Sequence, residues 1–226
     1  MLIQHLDPLA SSLFSLEAIA TLLLSFVMLG SRWLKNYLYA FAAESWTIAI
    51  LSATAAFFGR YPELYGIAAL TLFFRGIVLP ILLWRIIRRL EVDREIHAIL
   101  QPSSSIVVGA FFVMFALAVS FRVAERLNVE LAITALALTV TLSMNLIGFL
   151  ILSVRHEAMS QVLGLLVLEN GIQIGAQILV PGMPLLLEIL FLFDLLVVVA
   201  CFGVLVRYLE THAGTTSALA LKRLVG

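Results

Sequence analysis

The chain has 226 residues and no net formal charge, with 62% of its residues apolar and only 12% charged. Soluble domains are about 45–50% apolar and about 25% charged, so this composition excludes a soluble globule and predicts an integral membrane protein. Lys plus Arg and Asp plus Glu each number 14, and Cys201 is the single cysteine. There is thus no basic excess for nucleic acid, and no cysteine set for disulfides, a Cys-based zinc site or an iron–sulfur cluster.

Seven apolar stretches follow along the chain, each close to the roughly 20 residues that cross a hydrocarbon layer about 30 Å thick as a helix. In lipid, the backbone polar groups of such a stretch are satisfied within a helix. The predicted spans are Leu13–Gly30, Tyr37–Gly59, Leu64–Ile87, Ser105–Phe121, Val129–Val154, Met159–Val180 and Pro184–Tyr208. We therefore predict an all-α, polytopic membrane protein with seven transmembrane helices.

Basic residues in the connections predict the orientation, because Lys and Arg concentrate in cytoplasmic loops. One side of the membrane receives ten of them: Arg32, Lys35, Arg85, Arg88, Arg89, Arg94, Arg155, Arg207, Lys222 and Arg223. The other side receives three: Arg60, Arg122 and Arg126. The N-terminus is therefore expected outside and the C-terminus in the cytoplasm, with residues 85–105 forming a solvated cytoplasmic loop.

Ionisable residues lie well inside four of the spans, where each costs roughly 2.5–3.5 kcal/mol on insertion scales. They are Glu44, Arg75, Glu169 and Asp194. Folding alone does not require such residues, so they are the candidate functional groups. Glu17 and Glu188 lie only about a turn inside the outer ends, close enough for their carboxylates to reach the interface by snorkelling.

Glu169 and Asp194 are predicted at the same depth, because the short turn VPGMP joins their two antiparallel helices. Two carboxylates at one level in a low dielectric do not both stay ionised cheaply, so at least one is expected to hold a proton near neutral pH. Such a pair is typical of an intramembrane proton relay. The alternative is that these polar faces only help the helices to pack.

Polar and small residues on the fifth and sixth spans recur at helical spacing. One polar stripe on the sixth span comprises Glu169, Gln173 and Gln177. Glycines on roughly the opposite side predict close approach of another helix, namely Gly164, Gly171 and Gly175. The fifth span carries a polar face of Thr134, Thr141 and Asn145, of which Asn145 is a plausible partner for a buried carboxyl.

Glu44 and Arg75 form a second candidate pair on consecutive antiparallel helices, at depths that differ by about 5 Å at 1.5 Å per residue. An ion pair between them would lower the insertion cost of both, and its role is either structural or proton gating. Pro80 lacks a backbone donor, so we expect a kink near Arg75.

A weak internal sequence similarity aligns residues 36–50 with residues 161–175, so that Glu44 and Glu169 coincide. It predicts two related three-helix units joined by the fourth span. The predicted organisation is an N-terminal unit with its cytoplasmic loop at 1–104, a linking helix at 105–128, and a C-terminal unit with a short tail at 129–226.

The stretch NLIGFLILSVRHEAMSQVLGLLVLENGIQI, residues 145–174, resembles the K subunit of respiratory complex I and the C subunit of Mrp-type cation/proton antiporters. The full pattern of seven spans, with the helix QVLGLLVLENGI at residues 161–172, is similar to hydrogenase-4 component E. That family consists of membrane subunits of group 4 [NiFe] hydrogenase and formate hydrogenlyase complexes.

The resemblance implies a proton-path subunit in a prokaryotic inner membrane, between antiporter-like subunits and a membrane-arm anchor subunit. Glu169 matches the middle-helix glutamate of the K subunit. Asp194 would take the place of the last-helix acid, although it is Asp instead of Glu and follows Glu169 sooner. Nickel–iron and iron–sulfur centres are expected on partner subunits, and this chain is expected to bind no cofactor.

We therefore expect a non-catalytic membrane subunit of a hydrogenase-like complex, with a proton path that includes Glu44, Arg75, Asn145, Glu169, Gln173 and Asp194. The alternatives are a Mrp-type antiporter subunit, a stand-alone transporter or channel, and a purely structural spacer between larger subunits. An enzyme is disfavoured, because all four histidines lie outside the spans or at their ends and no catalytic or phosphate-binding motif is present.

Overall fold

Helices make up the part of the chain that the structure describes. The computed structural model describes residues 8–89, 99–127, 131–155 and 158–179, together with the single positions 189, 193, 196, 200, 203 and 204. These residues form helices and short connections and contain no β-strand. This agrees with the predicted all-α membrane protein.

The first two helices are α1, Pro8–Gly30, and α2, Leu34–Gly59. A continuous helical rod follows, made of α3, Glu63–Leu70, a π-helical segment at Thr71–Val78 (the π segment), and α4, Leu79–Arg89. The last three are α5, Pro102–Leu127, α6, Leu131–Val154, and α7, Ala158–Leu179. Arg60 ends α2 in the left-handed region, with φ 57° and ψ 36°, which is a common way for a helix to stop.

Among the described residues, five helices are long and apolar enough to cross a membrane. They are Leu9–Gly30, Leu34–Gly59, Glu63–Arg88, Pro102–Arg126 and Thr134–Val154. The sixth predicted span corresponds to α7. In the seventh, 184–208, the six described positions are helical and the other residues lie outside the described part of the chain. The protein is an all-α membrane protein, and the count of seven spans stays a prediction.

Glycines bring α6 and α7 into backbone contact. A Cβ added to Gly148 on α6 would lie 2.7 Å from the Leu168 nitrogen on α7. A Cβ on Gly175 of α7 would lie 2.5 Å from Thr141 Cγ2 on α6. Gly164 and Gly171 meet α6 in the same way. These contacts confirm the predicted close approach on the glycine face of α7, and α6 is the helix that packs there.

The two predicted three-helix units share an interface. α1 packs on α2, α5 and α6, whereas α7 packs on α6 and α2. α5 lies at the periphery, where Val107, Phe111 and Met114 are 66–70% exposed. Exposed apolar side chains of this kind suit contact with lipid tails, whereas polar side chains concentrate between the helices.

Arg155 joins the ends of α1 and α6. It follows α6 directly, and its Nη2 donates to the Leu29 carbonyl at 2.9 Å and to the Ser31 carbonyl at 3.2 Å. A cation at a helix C-terminus satisfies carbonyls that have no partner within the helix. Arg155 therefore joins the ends of two helices that run in the same direction. The sequence analysis used Arg155 only as one of the basic residues that predict orientation.

Candidate functional site

Glu44 lies near the middle of α2 and is fully buried. Its Oε1 accepts a hydrogen bond from the Ser25 hydroxyl of α1 at 2.5 Å. Its Oε2 accepts one from the Asn170 Nδ2 of α7 at 2.9 Å. Three helices therefore converge on one carboxyl group, at a depth where water is not available to solvate it.

Arg75 lies in the π segment and is 2% exposed. Its Nη1 donates to Asn170 Oδ1 at 2.8 Å, and its Nη2 donates to Glu169 Oε2 at 3.3 Å. The Glu169 side chain is 16% exposed and forms an ion pair with Arg75. Arg75 is thus held by two consecutive residues of α7.

These contacts form a continuous line of side chains, which we call the mid-membrane network: Ser25, Glu44, Asn170, Arg75 and Glu169. It crosses the helix bundle from α1 through α2 and α7 to the π segment. Each of its ionisable members lies near the middle of its helix, so the line crosses the middle layer of the helix bundle. Chains of buried hydrogen bonds are stable only when their members satisfy one another.

The predicted ion pair between Glu44 and Arg75 is wrong, because Arg75 pairs with a different carboxylate. The Asn170 amide stands between them, donating to Glu44 and accepting from Arg75. An amide has both donor and acceptor groups, so it links a carboxyl to a guanidinium without bringing them into contact. The cation instead pairs with Glu169.

The π segment follows from Pro80. In an α-helix the nitrogen of Pro80 would face the Gly76 carbonyl, but proline has no N–H to donate. The Trp46 Nε1 of α2 donates to that carbonyl instead, at 3.0 Å. A kink was expected near Arg75; the structure has a π-helical stretch there, which the Trp46 bond fixes against α2.

Further polar contacts continue along α7 from the network toward its C-terminus. Gln173 Nε2 donates to the Thr71 hydroxyl of the π segment at 2.7 Å. Gln177 Oε1 accepts from the Ser52 hydroxyl of α2 at 3.0 Å. The stripe that faces the neighbouring helices thus starts at Asn170, and Glu169 lies at its edge.

The Glu17 side chain does not reach outward to the interface. Its residue is only 9% exposed, and its Oε1 accepts a hydrogen bond from the Thr54 hydroxyl of α2 at 3.0 Å. Its carboxylate therefore turns into the helix bundle, in contrast to the snorkelling that its position allows. Thr54 on α2 determines this orientation, because its hydroxyl gives the carboxylate a hydrogen-bond donor that lipid tails lack.

A pocket of about 20 Å³ adjoins the network, lined by Arg75, Glu169, Ile172 and Gln173. A site of this size holds a single water when it has two or more polar partners. Arg75 Nε is buried and has no hydrogen-bond partner among the described residues. The pocket is therefore large enough for one water, and one of its lining residues has a buried donor without a partner among the described residues.

Two predicted site residues remain to be placed, Asn145 and Asp194. Asn145 packs on α6 against Gly171, and its buried Oδ1 has no hydrogen-bond partner in the described part of the chain. No bond from this oxygen to a buried carboxyl is therefore found there. Asp194 and Glu188 lie outside the described residues, as does the proposed pairing of Asp194 with Glu169.

Sequence reasoning missed Asn170, Ser25 and Tyr37. Asn170 is fully buried and offers a signal in its spacing, since it leads Gln173 and Gln177 at helical intervals. Ser25 is an ordinary serine in an apolar helix and offers none. The Tyr37 hydroxyl is buried without a hydrogen-bond partner among the described residues, within electrostatic range of Arg155 and Glu44.

Metal binding has no support in the described residues, where no group of three or more His, Cys, Asp or Glu side chains lies close enough to hold an ion. The described side chains of the network carry carboxyl, amide and guanidinium groups. Of these, the carboxyl groups bind and release protons, whereas the amide and guanidinium orient them.

A relative in Mycobacterium tuberculosis, the uncharacterized protein Rv0085, is 32% identical over 160 residues, which are 70% of this chain and 70% of that protein. The chain belongs to the same family as Rv0085. It matches no established protein-family profile and no solved structure.

Proposed function

We propose that the protein is a non-catalytic integral membrane subunit of a hydrogenase-like complex related to complex I, and that its buried carboxyl groups carry protons. The observation that carries the proposal is the mid-membrane network, an unbroken hydrogen-bonded line with a carboxyl group at Glu44 and another at Glu169. A buried ionisable line of this kind is costly and has no counterpart in a bundle held by packing alone.

The charge count of the network supports proton binding. Its described members include two carboxyl groups, Glu44 and Glu169, and one guanidinium, Arg75. With both carboxyls ionised, the buried cluster would carry a net negative charge in a low dielectric. The cluster is neutral when the two acids share one proton, and that proton is the one we propose is exchanged.

Polar groups extend from the network toward both membrane surfaces. On the side of the α7 C-terminus, the Gln173–Thr71 and Gln177–Ser52 bonds continue the polar line. Toward the start of α2, the buried Tyr37 hydroxyl is within electrostatic range of both Glu44 and the buried Arg155. We propose that water enters beside Arg75, Glu169 and Gln173 and links these groups during transfer.

The assembly follows from the resemblance of residues 145–174 to the K subunit and of the whole chain to hydrogenase-4 component E. In this proposal the chain lies in a prokaryotic inner membrane, with its N-terminus outside. Antiporter-like subunits and a membrane-arm anchor subunit flank it, and the metal centres belong to partner chains. The path includes Asp194, in the place of the last-helix acid, together with Asn145.

The test replaces Glu169 with glutamine in the native complex. Glu169→Gln keeps the side-chain shape and an acceptor for Arg75 but removes the exchangeable carboxyl proton. We expect normal assembly and electron transfer with a lower proton-to-electron ratio, measured as redox-driven pH change in sealed membrane vesicles. Glu63→Gln is the matched control, because Glu63 is exposed at the start of α3. A wild-type ratio in Glu169→Gln counts against the proposal.

Purification of the tagged full chain from its host membrane tests the assembly separately. Co-purification of a [NiFe] large subunit with antiporter-like proteins supports the proposed complex. A Mrp-type set alone assigns the chain to an antiporter. Unchanged coupling after simultaneous neutralisation of Glu44, Glu169 and Asp194 indicates a structural spacer.

A further inference from the structure

A groove of about 340 Å³ runs along the outside of the bundle, between α2 on one side and the π segment with α4 on the other. Its walls are apolar and aromatic and include Tyr39, Trp46 and Trp84. It is separate from the mid-membrane network, which lies inside the bundle. Its volume falls within the range of small-molecule and lipid sites.

Gly76 and Pro80 both line the groove and fix the position of the Trp46 ring. Gly76 has no side chain, and a Cβ there would lie 2.6 Å from Trp46 Cδ1. Pro80 leaves the Gly76 carbonyl without its helical donor, and Trp46 Nε1 binds that carbonyl. The indole is therefore fixed as one wall by a hydrogen bond, so the groove is a defined feature of the fold.

One end of the groove is cationic. Lys35 lines it at the start of α2, with its Nζ 5.7 Å from the Tyr39 ring centroid and 5.9 Å from that of Trp84. The Arg88 guanidinium lies 5.9 Å from the same Trp84 ring. None of the described residues that line the groove is acidic. Lys35 and Arg88 thus each lie within 6 Å of the Trp84 ring centroid, at the end of the groove that the predicted orientation places on the cytoplasmic side.

The length of the groove matches one leaflet. From Lys35 to Trp46, α2 rises about 16 Å at 1.5 Å per residue. Half of a hydrocarbon layer about 30 Å thick is about 15 Å. The groove therefore runs from the headgroup level to the middle of the bilayer, with its charge at the headgroup level and its apolar walls below.

We propose that this groove is a binding site for an anionic phospholipid. The phosphate lies between Lys35 and Arg88, and one acyl chain occupies the channel between Tyr39, Trp46 and Trp84. The charge complementarity selects an anionic headgroup over a zwitterionic one, and the length of the groove fits one acyl chain. The site does not depend on the proposed proton path.

The first test measures retained lipid. The full chain is placed in nanodiscs of equal parts dioleoylphosphatidylglycerol and dioleoylphosphatidylcholine, released into mild detergent, and its bound lipid is quantified by native mass spectrometry. We expect the wild type to retain phosphatidylglycerol in at least fivefold preference. Lys35→Gln and Arg88→Gln should each reduce that retention about fivefold, the effect of one basic residue near an anionic headgroup.

Two control variants separate the groove from the general surface. Arg122→Gln removes an exposed cation on α5 and should leave lipid retention unchanged. Ala42→Phe fills the groove without changing charge and should abolish retention, whereas Ala43→Phe, at the neighbouring exposed position, should not.

Three results would overturn the proposal. Equal retention of the two lipids means that charge does not select the occupant. Equal losses in Lys35→Gln and Arg122→Gln indicate a diffuse surface effect. The third result has two parts: a co-purified subunit protects the Lys35 amine from chemical labelling, and Ala42→Phe loses no lipid. Together they assign the groove to a protein partner.

Discussion

Asn170→Leu tests whether the amide between Glu44 and Arg75 holds the bundle together. The substitution keeps a similar volume at a fully buried position but removes the donor to Glu44 at 2.9 Å and the acceptor for Arg75 at 2.8 Å. Both partners are ionisable and buried, so each is left with an unmet hydrogen-bonding group. We expect this variant to be among the most destabilising on α7.

The magnitude follows from the two bonds. Hydrogen bonds to charged groups contribute about 1.5–3 kcal/mol in soluble proteins. Interhelical bonds in one membrane protein average about 0.6 kcal/mol and reach about 1.7 kcal/mol, because the unfolded chain in lipid also finds partners. Two bonds to ionisable groups therefore place the loss at about 2–3 kcal/mol, toward the upper end of twice the membrane value for one bond.

The assay is an unfolding titration of the purified full chain in mixed micelles, followed by the helical circular dichroism signal. The matched control is Asn145→Leu, which removes the same amide from α6, where Oδ1 has no hydrogen-bond partner among the described residues. We expect this control to cost less than about 1 kcal/mol, because no such bond is lost. A loss below about 0.5 kcal/mol in Asn170→Leu, or equal losses in both variants, would refute the reasoning.

Two further predictions concern how the helices are joined. Gly148→Ala places a methyl group 2.7 Å from a backbone nitrogen of α7, so α6 and α7 must separate, and we expect a loss of about 1–3 kcal/mol in the same titration. Gly109→Ala should cost less, because its nearest neighbour is the flexible Leu29 side chain, and the reverse order would contradict the packing argument. Arg155→Gln removes charge-assisted bonds to the Leu29 and Ser31 carbonyls. We expect faster amide hydrogen exchange at the α1–α2 connection in this variant, whereas the exposed Arg122→Gln should leave exchange there unchanged.

Sequence reasoning placed Glu44, Arg75 and Glu169 near the middles of their helices but did not identify their partners. The structure joins these three residues in one network, and counting along each helix gives their positions because the rise per residue is constant. Counting does not fix how each helix is rotated about its axis. For that reason the ion pair was assigned to Glu44 instead of Glu169, and the bridging Asn170 was overlooked.

The glycine face shows the opposite case. Gly164, Gly171 and Gly175 form a pattern that allows only close packing, so the sequence predicts a tight helix contact without any knowledge of the neighbour. The structure adds that the neighbour is α6. Polar residues are less informative, because Glu17 is equally compatible with snorkelling and with the buried Thr54 contact that it makes.

Length, apolarity and the spacing of rare charged residues determine that this chain is a helical membrane protein with ionisable groups in its middle layer. These properties depend on the hydrocarbon thickness and on helix geometry, which are the same for every chain. Only the tertiary structure decides that Asn170 joins Glu44 to Arg75, that Trp46 replaces the missing donor of Pro80, and that Arg155 caps α1. Each of these contacts joins residues far apart in the chain, and their meeting depends on how all the helices pack at once.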